Sequence, residues 1–199
     1  MRMKRLTMPT LTSLVFLALG GCGSDNVVGG SSHDQTCVPD SNYTYSFDCD
    51  TGTELPSGLA YNLTETSGLT ATTGYQTGKN GQALAIDVTA AAGEKKLYLV
   101  DSAHSQIQSM SFWIQVSQEA FDAGVITAKL YAKTTSDWTW NAGDDVALQP
   151  NQWVQVTWLP GTEAISLADV KEAGIQLYAN GSSTAASGVK ILVDDVVIK

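Results

Sequence analysis

Arginine is almost missing from this chain. The 199 residues contain it only at Arg2 and Arg5. Beyond Arg5 there are 8 lysines against 20 acidic residues, a net charge of −12. Arginine is the side chain that grips phosphate and carboxylate in a bidentate fork. Nucleic acids and anionic membrane surfaces bind through released counterions, which needs basic residues. Both partners are excluded, as are acidic polysaccharides. A neutral ligand or a metal cation fits the composition better. Histidine is nearly as scarce, with His33 and His104 alone. A Ser/His/Asp device would have to rest on His104, which lies in the polar stretch Asp101–Ser105 and reads as solvated. The chain has no G-x-S-x-G, no H-E-x-x-H and no P-loop. A glycosidase needs two carboxylates flanking a cleft. The pairs Asp144/Asp145 and Asp194/Asp195 are adjacent in sequence, so on a strand they would point to opposite faces. Catalysis is not expected.

Long apolar runs are also lacking. The longest near the start, Leu11–Leu19, is too short to span a bilayer and follows a basic Met1–Arg5 segment. It ends in Leu19-Gly20-Gly21-Cys22, which resembles the lipobox of bacterial lipoproteins. The resemblance implies cleavage after residue 21 and lipid attachment at Cys22, with the membrane touched only through that anchor. Gly23 stands where an Asp resembles an inner-membrane retention signal, which implies the outer membrane of a Gram-negative cell. Residues 22–36, rich in Gly, Ser and Asp, read as a flexible tether. With Cys22 lipidated, Cys37 and Cys49 remain, and in an oxidising compartment they read as a disulfide worth about 2–4 kcal/mol. Zinc is the weaker alternative, since no C-x-x-C or nearby ligating His accompanies them.

From residue 37 to 199 the pattern is all-β. Strands are expected at Tyr43–Cys49, Gln82–Val88, Lys95–Asp101, Ile107–Val116, Val125–Lys133, Gln152–Leu159, Ala173–Ala179 and Val189–Lys199. Short helical turns are expected at Gln118–Ala123 and Leu167–Glu172. Regularly spaced short strands with turn residues between them argue for an antiparallel β-sandwich. Period-2 parity sends Ile126, Ala128, Leu130 and Ala132 inward and Lys129, Tyr131 and Lys133 outward. Ile175 and Leu177 go in, and Gln176 and Tyr178 go out. One outer face therefore carries aromatic, amide and amine groups.

Four of the five tryptophans fall within Leu130–Trp158. Trp138 and Trp140 straddle one Thr in a turn-rich segment, an odd place for side chains that bury 150–250 Å² each in a core, on the order of magnitude typical for indoles. Sugar C–H faces pack on aromatic rings, while their hydroxyls need donors and acceptors of the kind Gln and Lys supply. Trp138, Trp140, Tyr131, Gln176, Tyr178 and Lys129 are the candidate carbohydrate contacts. Trp153 and Trp158 begin and end a strand whose Val154 and Val156 face the core, and read as structural. Trp113 stays undecided between the two roles.

The run Lys133–Trp153 (KTTSDWTWNAGDDVALQPNQW), then Val170–Tyr178 and the closing Ile191–Val196, resembles the β-sandwich carbohydrate-binding modules appended to bacterial mannanases and cellulases. Gln152 replaces the Gly usual before the matching Trp, and Ala173 replaces an aliphatic residue. The resemblance implies a jelly-roll, galactose-binding-like sandwich that binds polysaccharide without catalysis. It also implies a structural Ca2+ where the first and last strands meet. Asp48 (in place of the usual Glu), Asp194 and the backbone near Lys79 are the matching positions. Oxygen ligands of this kind are what calcium takes. The expected protein is a monomeric, lipid-anchored binder of β-mannan or β-glucan. The competing reading is an adhesive surface lipoprotein that uses the W-x-W pair as anchors on a protein partner.

Overall fold

In the computed structural model, residues 44–62, 69–90, 93–101, 104–159, 167–182 and 186–199 are described. They belong to one compact unit, Thr36–Lys199. Cys22, Cys37 and the whole tether lie outside the described residues.

The elements are β1 (Thr44–Tyr45), β2 (Ala60–Asn62), β3 (Leu69–Thr77), β4 (Gln82–Ala90), β5 (Gly93–Asp101), β6 (His104–Ile107), β7 (Met110–Val116), α1 (Gln118–Asp122), β8 (Val125–Thr134), β9 (Thr139–Ala142), β10 (Val146–Ala147), β11 (Val154–Trp158), β12 (Leu167–Ser182) and β13 (Ala186–Ile198). They form two antiparallel sheets. One runs β11-β7-β13-β4-β3, with β1 on β13; the other runs β10-β8-β12-β5-β2, with β6 on β12 and β9 on β8. This is the expected antiparallel β-sandwich.

Alternation makes the two layers. In β7, Met110, Phe112, Ile114 and Val116 are buried while Ser111, Trp113 and Gln115 are half-buried. Leu84, Ile86, Phe112, Ile114 and Val193 from one sheet meet Leu97, Leu99, Leu130, Ile175 and Leu177 from the other in a single core. Full burial of such side chains contributes roughly 1.5–3 kcal/mol each, and the sandwich is held mainly by this layer.

Several boundaries differ from expectation, each for a local reason. The first strand stops at Tyr45 because Phe47 adopts φ 64 and the Asp50 N–H closes a turn on its carbonyl at 3.2 Å. The expected single strand Ile107–Val116 is two. β6 and β7 belong to different sheets, and the N–H groups of Gln108 and Ser109 at the crossing donate to the Lys199 carbonyl. Leu167–Glu172 is not a helical turn but the start of the 16-residue β12, bulged at Asp169 (φ 53) with a register shift between Val170 and Glu172. The Thr-rich β3 pairs along its whole length with β4, as β-branched residues favour. α1 forms as expected, capped by Ser117, whose hydroxyl accepts the Ala120 N–H at 3.1 Å.

His104 is buried rather than solvated. It opens β6 and places Nε2 3.5 Å from Asp101 Oδ2, the oxygen that also accepts the Tyr45 hydroxyl at 3.0 Å. The three side chains tie β1, β5 and β6 together below the surface.

Candidate functional site

The outer face of the sheet containing β8 and β12 is built in tiers. Tyr98 on β5 and Tyr131 on β8 meet edge to face, with centroids 5.4 Å apart at 75°. Trp140 on β9 lies flat on Tyr131, at 4.2 Å and 9°, and meets Tyr98 edge-on at 6.2 Å. Offset and T-shaped pairs of this kind contribute about 0.5–1.5 kcal/mol each beyond area burial. Tyr131 stands opposite Gly174 across the ladder. A Cβ at Gly174 would collide with the Leu99 carbonyl oxygen, so that position must stay bare.

The upper tier is exposed. Trp140 is 42 % and Trp138 54 % exposed, and both are held by the β8–β9 hairpin. Its tip, Thr135–Trp138, has two left-handed residues, Thr135 (φ 61) and Trp138 (φ 55). The Trp138 N–H donates to the Thr135 carbonyl, and the Thr135 N–H donates to the Asp169 carbonyl, pinning the tip to β12. A bulky residue in this region costs on the order of 1–2 kcal/mol. Such strain tends to gather at functional positions, where the surroundings hold it in place.

Among the described residues of this face, two lysines are held by carboxylates. Glu172 Oε1 accepts the Tyr131 hydroxyl at 2.7 Å and lies 3.3 Å from Lys133 Nζ. That ammonium is 5.9 Å from the ring centroids of Tyr131, Trp138 and Trp140 alike. Lys129 pairs with Asp145 at 2.9 Å.

Parity therefore places Lys129, Tyr131 and Gln176 on one face, with both tryptophans beside them, as expected. Their roles divide differently. Tyr131 is fully buried beneath Trp140, and Gln176, opposite Tyr98 and Lys129, is nearly so, which makes neither an open contact. Tyr178 lies on β12 between Lys96 and Thr127 in register, but its side chain is outside the described residues. Two members were missed. Tyr98 was legible from the Leu97-Tyr98-Leu99 alternation. Glu172 shares parity with Gln176 and was hidden by reading Leu167–Glu172 as helical. Trp158 packs against the main core, and Trp153 covers the small outer cluster of Ala83, Ala85 and Leu192 on the opposite sheet.

A second corner gathers the expected metal positions. A bulge in β13 between Asp194 and Val197, with Asp195 left-handed at φ 47, shifts the strand's phase. Asp194 and Asp195 consequently both reach Asn80, correcting the opposite-face expectation: Asp194 Oδ2 accepts its N–H at 3.1 Å and Asp195 Oδ2 its side-chain amide at 2.8 Å. The Lys79 N–H also donates to Asp194 Oδ2, at 2.8 Å, and Asp48 Oδ1 accepts the Gln82 N–H at 2.9 Å. A Cβ on Gly78 would press on Asp194 and one on Gly81 on Asp48. Two carboxylates thus bracket one turn that tolerates no side chain at either end. Asp194 is fully buried, and desolvation, opposed in part by the Asn80 N–H, pushes its carboxyl above the usual range. The donor chemistry suits a hard cation. Two carboxylates fall short of the 6–8 oxygens that calcium takes, in round terms, so backbone carbonyls and water would have to complete the shell. Among the described residues no three His, Cys, Asp or Glu side chains converge.

Comparison with known proteins follows this geometry. A family model described as "Mannanase, galactose-binding domain-like" matches residues 54–195. No curated protein matches the sequence. Among solved structures, a carbohydrate-binding module of the β-sandwich superfamily superposes with a TM-score of 0.52 at 21% identity, covering 71% of this chain and 57% of its own. The chain thus spans little more than half of that structure. The K2 cleaved adhesin domain of Lys-gingipain superposes at 0.51 with 12% identity over 79% of this chain and 98% of that one. A xylan-binding CBM22-1 domain from Paenibacillus barcinonensis Xyn10C gives 0.48 at 11% identity, over 78% and 91%. At these identities the first two show a shared fold and nothing more.

Proposed function

Because the chain belongs to the mannanase galactose-binding domain-like family of non-catalytic modules, we propose that it holds a neutral polysaccharide, a β-mannan or β-glucan, against the cell envelope. The observation that carries this reading is Trp140: an exposed indole fixed flat on a buried tyrosine. A rigid, uncovered aromatic face suits the C–H face of a pyranose and spends little entropy on binding. Lys129 and Lys133 are already paired with carboxylates, so the surface around the indoles favours neutral over anionic chains. Anchoring would run through lipidated Cys22 at the outer membrane, with residues 22–36 as tether.

Affinity electrophoresis against glucomannan, galactomannan, hydroxyethylcellulose and xylan tests the reading. Retardation by a mannan or glucan is expected. No retardation by any of them overturns it and leaves the adhesive alternative, with Trp138 and Trp140 as protein anchors. Calcium belongs to the same proposal. Asp48, Asp194 and the main chain around Lys79 would hold it and so join β13 to the β3–β4 turn. EDTA should then lower the melting temperature, and an unchanged value rejects the ion.

A further inference from the structure

Lys133 stands where three parts of the platform meet. Across the ladders it faces Trp140 on one side and Glu172 on the other. Its ammonium is equidistant, at 5.9 Å, from the rings of Tyr131, Trp138 and Trp140. The carboxylate that holds it is itself fixed, because Glu172 Oε1 also accepts the Tyr131 hydroxyl. Side-chain exposure is 15% for Lys133 and 13% for Glu172. Lys129 offers the contrast. Four residues back on the same strand, it pairs with Asp145, whose side chain is 54% exposed.

A surface lysine normally keeps about 2 kcal/mol of rotamer entropy and binds hydroxyls without preference for direction. Lys133 has largely lost that freedom before any ligand arrives. Its ammonium carries three donors, and Glu172 takes one direction. We propose that Lys133 is a specificity-determining residue of the sugar platform and that Glu172 is the residue that positions it. The proposal rests on the polysaccharide-binding reading above. A sugar stacked on either exposed indole presents its ring-edge hydroxyls beside this fixed donor. Manno- and gluco-configured chains stack alike on an indole but differ in the direction of one hydroxyl. A fixed donor distinguishes those directions, whereas stacking alone does not.

Isothermal titration of the full-length protein with mannohexaose and cellohexaose is the test, for wild type, Lys133→Met and Glu172→Gln. Met keeps the apolar stem over the rings and removes the charge. Wild type should favour one sugar, and Lys133→Met should lose about tenfold or more on that sugar, as expected for a charged hydrogen bond. Its affinity for the other should change far less, so the ratio collapses. Glu172→Gln should fall between the two, with Lys133 present but no longer held. A role confined to folding would lower both affinities in parallel. A ratio unchanged in Lys133→Met, or a wild type with no preference, overturns the proposal while sugar binding stands. A wild type that binds neither oligosaccharide overturns the parent reading and this proposal with it.

Discussion

Each outer face of the sandwich carries two tryptophans, and only one face leaves them open. On the β7–β13–β4 face, Lys79 Nζ sits 4.0 Å over the Trp113 ring, and Trp153 lies down on Ala83, Ala85 and Leu192. Both indoles are half-buried. On the β8–β12 face, Trp138 and Trp140 stand exposed, and the space beneath Trp140 is filled by Tyr131 and Tyr98. The number of aromatics is the same. What differs is whether the chain spends the ring face on itself. Small residues beneath an indole invite it to collapse and finish the packing, whereas a second aromatic layer holds it up.

The largest effects should come from removing one indole on each face. Trp140→Ala should weaken polysaccharide binding by about 30-fold or more, the loss typical of a hot-spot aromatic. Its two ring contacts, with Tyr131 and Tyr98, are lost as well, so stability should fall by about 1–3 kcal/mol. Trp153→Ala should cost stability alone. It uncovers Ala83, Ala85 and Leu192, so stability should drop by about 1–3 kcal/mol with binding intact. Titration and thermal melts on both variants check the pair. Loss of sugar binding in Trp153→Ala would falsify the division between the two faces.

The same contrast marks how far the sequence could be read. Core faces followed from alternation, because Leu84, Ile86, Phe112 and Ile114 obey period 2 without interruption. Lys129, Tyr131 and Gln176 were placed on the correct face by the same rule. What parity does not carry is depth. Tyr131 points outward and is still fully buried, because a residue from the next hairpin lies on it. Bulges are the other blind spot. Asp169 and Asp195 each break the alternation by a left-handed residue, a conformation Asp tolerates better than most side chains but adopts at too few positions to mark these two in the sequence. Glu172 and the paired Asp194/Asp195 were misread at these two bulges, and both lie at candidate sites.

A smaller effect concerns the corner beyond Trp113, where Asp194 faces that indole's strand in register. Its carboxyl is raised, chiefly by desolvation. An acid whose folded value lies above its unfolded one favours folding below the unfolded value, about 4 for Asp. That contribution is lost as pH rises through the folded value. In chelated buffer, raising the pH from about 4 to about 7 should therefore shift relative stability away from wild type and toward Asp194→Asn. A bound cation stabilises the ionised form and reverses the sign. Melting curves of both proteins across that range, with and without calcium, give a second reading of the ion through the sign of the pH dependence.

The smallest effect should fall on Trp138, and it separates fold from site most cleanly. Its left-handed backbone is a poor fit for a bulky residue and an acceptable one for Asn. The indole is more than half exposed, so little packing is lost on replacement. Trp138→Asn should raise stability slightly, by about 0.5–1 kcal/mol, the size of a relieved backbone conformation. The same change removes one of the two rings flanking Lys133 and should weaken binding. A variant that is more stable and binds less well would show that the strain at the hairpin tip is retained for the ligand. If stability falls along with binding, Trp138 is part of the scaffold, and the exposed platform reduces to Trp140 on its tyrosine.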